Sequence, residues 1–244
     1  MPDRRVHRGP HPDDERLFAL EMVPRLREAT GDLCWLLSRG YASVSALKLV
    51  GDRYDLEQRQ RMAVSRCACS DAVRARRQER QISVSHIRNQ TLWIDGYNLL
   101  TTIEAALAGG VVLSARDGAF RDLASMHGTW RRVNETEPAI ELIGAFLVEI
   151  GVAGCRWFLD KPVSNSGRLK RILLDISASK GWRWEAELVD DPDRILAVAN
   201  APVVTADSGI LDQCGGWVNL AAEAVRARVP QARVIDLGNG SEGS

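Results

Sequence analysis

The sequence predicts an α/β fold. A parallel five-stranded sheet flanked by helices occupies residues 89–238, a small all-α domain precedes it over 1–88, and a flexible tail follows at 239–244. Two observations predict this. Before residue 90 the apolar residues recur at intervals of three and four, the period of amphipathic helices. After it, short apolar runs alternate with stretches of helical period, and such alternation is the signature of strands joined by crossover helices.

The helical part begins after an arm of about a dozen residues rich in Arg, Pro and His, read as flexible, with His7 and His11 facing solvent. DERLFALEMVPRLREATGDLCWLLSRGYASVSALKLV then carries the helical period, broken at two turn-like segments, ATGD and SRGY. DRYDLEQRQRMAVSRCACSDAVRARRQER continues it, with Asp55 as a candidate N-cap. Three or four short helices result, as a bundle or helix-turn-helix variant, and QISVSHIRNQ is the connection. Beyond it TLWIDG reads as a buried strand ending in a turn, ARDGAFRDLASMHGTWRRV and TEPAIELIGAFLVEIG as helices, and CRWFLD as a strand. SGRLKRILLDISASKG is helical, WRWEAELV extended, DPDRILAVAN helical and PVVTAD extended; a last helix near AAEAVRARVP leads to RVIDL as the fifth strand.

Composition narrows the function. No apolar run is long enough to span a bilayer, and the first residues lack the apolar stretch of a signal peptide, so a cytoplasmic location is expected. Five cysteines (Cys34, Cys67, Cys69, Cys155, Cys214) are an odd number without CxxC spacing, which argues against a disulfide framework and a zinc ribbon. The 32 basic and 32 acidic residues cancel, yet residues 1–90 hold 17 basic against 12 acidic and the remainder 15 against 20. The surplus concentrates at Arg59, Arg61, Arg66, Arg74, Arg76, Arg77 and Arg80, which form either a phosphate-neutralising helix face or an ordinary solvated one. His86 and His127 have no evident catalytic partner and read as structural. Trp35 and Trp217 read as core, with interfaces or base stacking as the alternative.

Four aspartates end strand-like runs or open the helix after one: Asp95 in LWIDGYNLL, Asp160 in RWFLDKPVS, Asp193 in LVDDPDRIL and Asp207 in PVVTADSGIL. A parallel sheet gathers such positions at one edge, because ligands collect outside the carboxyl ends of its strands. Carboxylates crowded there repel unless a cation holds them, which makes the four candidate metal ligands for Mg²⁺ or Mn²⁺. Gly96 lets the chain turn after Asp95, and Asn98 can hydrogen-bond a water, a phosphate or the Asp95 carboxylate. Lys161 can meet a phosphate beside Asp160. Ser164, Asn165 and Ser166 precede a helix whose free N–H groups suit an anion, with Arg168 adding charge. Thr205 and Ser208 flank Asp207 and can fix waters or the carboxylate. Helix capping is the competing reading of Asp95, Asp207 and the DDPD acids, in which Asp191 or Asp190 is the alternative cap.

The order IDGYN, FLD, DDPDRIL, VVTADSGIL resembles PIN-like nuclease domains, especially their NYN branch, over most of residues 91–237. The resemblance implies a PIN-like sheet and a metal-dependent ribonuclease whose matching acids, with Asp193 as the helix-start aspartate, bind Mg²⁺ or Mn²⁺ and cleave RNA. The chemistry expected is in-line attack on a phosphodiester by metal-activated water. Two other readings stay open: a catalytically silent RNA-binding adaptor, and a structure-specific DNA nuclease. The complete chain also resembles an uncharacterised prokaryotic domain-of-unknown-function family of the DUF434 type.

Overall fold

A computed structural model describes residues 7–124 and 128–238 of the chain. Five helices open it: α1 (Asp14–Leu17), α2 (Val23–Ser38), α3 (Ser43–Arg53), α4 (Gln58–Cys67) and α5 (Asp71–Glu79). The segment SRGY is a turn, with Gly40 in the left-handed region, but ATGD is not. Residues 29–32 run inside α2, where Thr30 satisfies its hydroxyl on the Leu26 carbonyl and Ala29 and Leu33 stay buried. Asp55 does not cap α4. It sits at positive φ one turn earlier, and a capping box of Glu57 and Gln60 starts the helix. The described part of the arm is docked rather than loose: His7 Nδ1 lies 2.7 Å from Glu135, and Arg8 Nε donates to buried Glu104 at 2.9 Å.

The sheet region follows with β1 (Thr91–Asp95), α6 (Gly96–Leu107), β2 (Val112–Ser114), β3 (Phe120–Asp122), α7 (Thr136–Ile150), β4 (Gly154–Asp160), α8 (Ser166–Lys180) and β5 (Trp184–Val189). It ends with α9 (Pro192–Ala197), β6 (Val203–Val204), α10 (Ser208–Leu211), β7 (Trp217–Val218), α11 (Leu220–Arg228) and β8 (Val234–Asp236). The main sheet is five-stranded and all parallel, in the order β5-β4-β1-β6-β7. Its side chains alternate with the strand period. Leu92, Ile94, Trp157, Leu159, Val204 and Val218 face one core with α6, α7, α8 and α11, whereas Phe158, Val203 and Trp217 face a second core with α9 and α10. Helices therefore cover both faces, as a parallel sheet requires.

Two predicted elements are different. RVIDL is not the fifth strand of this sheet; Trp217–Val218 is, and β8 joins a second sheet in the order β3-β2-β8. ARDGAFRDLASMHGTWRRV is not a helix, since its first half forms the turn and second strand of an antiparallel hairpin, β2–β3. Asp117-Gly118 is a hairpin signal that the apolar spacing obscured: Gly118 takes φ 83° and Asp117 Oδ1 accepts from the Ala119 N–H. His127 and the 239–244 tail lie outside the described residues. The second sheet also closes the helical core, because Leu113, Leu123, Ile235 and Leu237 pack with Leu26, Leu33, Val50 and Val64.

Candidate functional site

The strand order turns around β1: the chain moves from β1 outward to β4 and β5, then returns to the other side for β6 and β7. This is the switch point where open parallel sheets form a crevice. Asp95 ends β1, and because Ile94 is registered with Val204, Thr205 emerges beside it. Gly96 makes the close approach to β4 possible rather than a sharp turn. A Cβ there would lie 2.5 Å from the Leu159 side chain and 3.0 Å from the Phe158 carbonyl.

Asp95, Asn98, Asp193, Asp207 and Ser208 line one cleft of about 330 Å³. Thr205 joins two of these acids: its hydroxyl donates to Asp95 Oδ2 at 2.8 Å and accepts from the Asp207 N–H at 3.0 Å. Asn98 Oδ1 accepts from the Ala206 N–H at 2.8 Å, so its amide nitrogen is left for a ligand. Caps and cleft-lining residues coincide. Asp95 Oδ1 accepts from the Asn98 N–H at 3.4 Å as N-cap of α6, and Asp207 Oδ1 accepts from Gly209 and Ile210 as N-cap of α10, leaving Oδ2 unspent. In DDPD the work divides: Asp191 caps α9, and Asp193, one residue into the helix, faces the cleft.

Burial and crowding act together on these carboxyls. Asp95 is pushed up to about 7, first by burial and then by the charges of Asp207 and Asp193, against the opposing Thr205 hydrogen bond. Asp193 is raised by burial, then by Asp207, Asp160 and Asp191. Asp160 is not among the cleft residues. It ends β4, two residues past the Phe158 that pairs with Asp95, and its charge reaches Asp193 and the Tyr97 phenol, whose ionisation burial already opposes.

The loop after Asp160 turns elsewhere. Lys161 is exposed and pairs with Asp190 at 3.5 Å. Ser164 bridges to Thr129, Asn165 at φ 69° donates to the Trp130 carbonyl, and buried Ser166 donates to the Lys161 carbonyl. Arg168 is exposed on α8. None of these five lines the cleft.

Sequence reasoning missed Asp122, a fourth cleft carboxylate at the end of β3, held by the Thr101 and Thr102 hydroxyls at 3.0 Å each. Its signal was lost when the hairpin read as a helix. Arg121 was missed for the same reason; its Nε donates to the Ala206 carbonyl at 2.8 Å, and both terminal nitrogens bind Asp117. Most of the basic run is spent internally. Arg59 pairs with Asp14, Arg61 with Asp52, and Arg77 with Asp117 and Asp212, while Arg80 donates to the Asp212 and Cys214 carbonyls. Trp35 is 53% exposed, and Trp217 is core, its Nε1 donating to the Arg77 carbonyl. Among the described residues, no three His, Cys, Asp or Glu side chains form a ready-made metal cage, and no helix is long and apolar enough to cross a membrane.

A family model described as a domain of unknown function, DUF5616, matches residues 84–223, more than half of the chain. The chain belongs to the DUF5616 family. This match takes in β1 through the first turn of α11, and with them the cleft edge at Asp95, Asp193 and Asp207. A second model, described as a protein of unknown function, DUF434, matches residues 25–80 in the N-terminal helices. An uncharacterized protein of Methanocaldococcus jannaschii is similar to this DUF5616 chain, 27% identical over 203 residues that cover 82% of the chain and 96% of that protein. No solved structure matches.

Proposed function

We propose that the protein is a Mg²⁺- or Mn²⁺-dependent ribonuclease with a PIN-like, NYN-type sheet, acting in the reducing cytoplasm, where its five cysteines, all free and buried, remain thiols. The carrying observation is that Asp95, Asp193 and Asp207 share one cleft at the switch point. The donor chemistry fits a hard cation. The cleft offers carboxylate, amide and hydroxyl oxygens without His or Cys, and the buried Asp95 carboxyl is costly to ionise among like charges. A full cage is not required, because Mg²⁺ keeps several waters and takes one or two carboxylates together with substrate phosphate.

Asp95 and Asp207 are the residues that would hold the cation, and Asp193 faces them. When bound, the cation lowers the pKa of water for attack on a phosphodiester. The protein's own groups do the positioning. The Thr205 hydroxyl fixes the Asp95 oxygen and, through the Asp207 N–H, the spacing of the two carboxylates. Asn98, oriented by the Ala206 N–H, presents its amide to a water or phosphate oxygen.

Asp95→Asn and Asp207→Asn are expected to abolish cleavage of single-stranded RNA in Mn²⁺ while far-UV circular dichroism stays unchanged. Undiminished cleavage by both variants rejects the assignment. Parallel assays on single-stranded, duplex and branched RNA and DNA test the substrate: cleavage confined to branched DNA makes the protein a DNA nuclease, and RNA binding without cleavage under any metal makes it an adaptor.

A further inference from the structure

The same cleft has a basic side, contributed by the N-terminal helices. Arg66 lies in the last turn of α4, half-buried, and lines the cleft together with Asp95 and Asp207. One of its terminal nitrogens donates to the Asp122 carbonyl, which anchors the guanidinium; its Nε and second terminal nitrogen have no partner among the described residues. Guanidinium carries five N–H donors in a planar fork, so an anchored arginine with spare donors is prepared for a phosphate.

The other cation of the cleft is buried and has every nitrogen committed to a protein partner. Arg121 spends its Nε on the Ala206 carbonyl and both terminal nitrogens on Asp117. Arg59, Arg61, Arg77 and Arg80 are committed to internal acids or carbonyls, and Arg74 is exposed and borders a different cavity. Among the described residues Arg66 is thus the cation of the cleft with nitrogens bound to no protein partner, set among carboxylates that would repel a bare polyanion.

We infer that Arg66 is a substrate-binding residue: its free guanidinium edge grips a backbone phosphate of a single-stranded nucleic acid lying across the acidic cleft. This rests on the ribonuclease reading for the identity of the strand. It also gives the N-terminal helices a direct part in the site, through one residue rather than through a general basic face.

The test uses the full-length protein and a fluorescein-labelled oligouridylate, with anisotropy measured in Ca²⁺ and cleavage in Mn²⁺. Arg66→Gln is expected to weaken binding about tenfold, the scale of a charged hydrogen bond. It should make the slope of log affinity against log salt shallower by about 0.7, one single-strand phosphate contact. In Mn²⁺ the loss falls on KM, with kcat largely retained. Arg66→Lys, keeping charge without the fork, should lie between wild type and Arg66→Gln, and Arg74→Gln should bind as wild type. A thermal melt of each variant monitors the anchor to Asp122; if Arg66→Gln melts early, Arg66→Lys carries the comparison, and wild-type affinity in it overturns the inference.

Wild-type cleavage of RNA with unchanged binding in Arg66→Gln overturns the Arg66 assignment and leaves the ribonuclease reading standing. Binding that Arg66→Gln weakens, in a protein that cleaves nothing, supports the phosphate grip and defeats the ribonuclease reading. A wild-type protein that neither binds nor cleaves the strand defeats both.

Discussion

Asp95 caps a helix and lines the cleft at a cost to stability. It caps α6, accepts from Thr205, and is nevertheless pushed up to about 7 from the ordinary 3.8 by burial and by Asp207 and Asp193. A carboxyl raised on folding holds its proton more tightly in the folded state, so its favourable contribution is complete below the unfolded value near 4. That contribution is lost as pH rises through about 7, on the order of 4 kcal/mol when ionisation is complete. Without divalent cation, Asp95→Asn should therefore melt above wild type at pH 8, by roughly 2–4 °C for each kcal/mol recovered, with the gap closing toward pH 5. An equal gap at both pH values in calorimetric scans would mean that Asp95 ionises normally. The asparagine keeps an acceptor for the Asn98 N–H, so the cap survives the change. The residue was legible in the sequence because IDGYN ends an apolar run. Whether it caps α6 or faces the cleft was not, since a cap and a proposed metal ligand have the same composition.

At the scale of elements, the α10 edge of the cleft is held from below by charges that lie far apart in the chain. Arg77 on α5 donates to Asp117 in the hairpin turn, to Asp212 and to the Ser208 carbonyl, at 2.7, 2.9 and 3.1 Å. Asp117 also binds both terminal nitrogens of Arg121. Burial alone would raise Asp117, but Arg121 and Arg77 outweigh it and hold the carboxyl below its usual range. Removing one member leaves a buried charge uncompensated, so Arg77→Leu should cost about 3–5 kcal/mol in urea unfolding. A loss below about 1 kcal/mol would show that the network is not what secures α5 to the α10 edge. No motif announces this arrangement. Arg77 looked like one of seven similar arginines, and Asp117 belonged to a run whose apolar spacing imitated a helix. Strands of three residues, such as β2 and β3, are too short to show alternation, whereas Asp-Gly at the turn was the local signal that identified them.

For the whole molecule, the parallel sheet was readable because its two central long strands hold continuous apolar runs followed by a helical period, as in LWID before α6 and WFLD before α8. Strand order and the identity of the fifth strand were not. Trp217–Val218 is two residues long and recruited by pairing with β6, a non-local choice that composition does not encode. The gathering of Asp95, Asp193 and Asp207 followed from strand ends and, for Asp193, from the start of the helix after β5. Asp160 does not line the cleft, and the loop after it pairs with Thr129 and Trp130 through Ser164 and Asn165. The N-terminal helices share their core with β2 and β8 and send Arg66 into the cleft, so the site is assembled by both halves of the chain. The central claim is that these acids gather around a cation. Anomalous diffraction from crystals soaked in Mn²⁺ tests it most directly: the account predicts a peak between the Asp95 and Asp207 carboxylates that disappears in Asp207→Asn, and a protein that hydrolyses RNA with no peak there, or with Mn²⁺ held elsewhere, would contradict it.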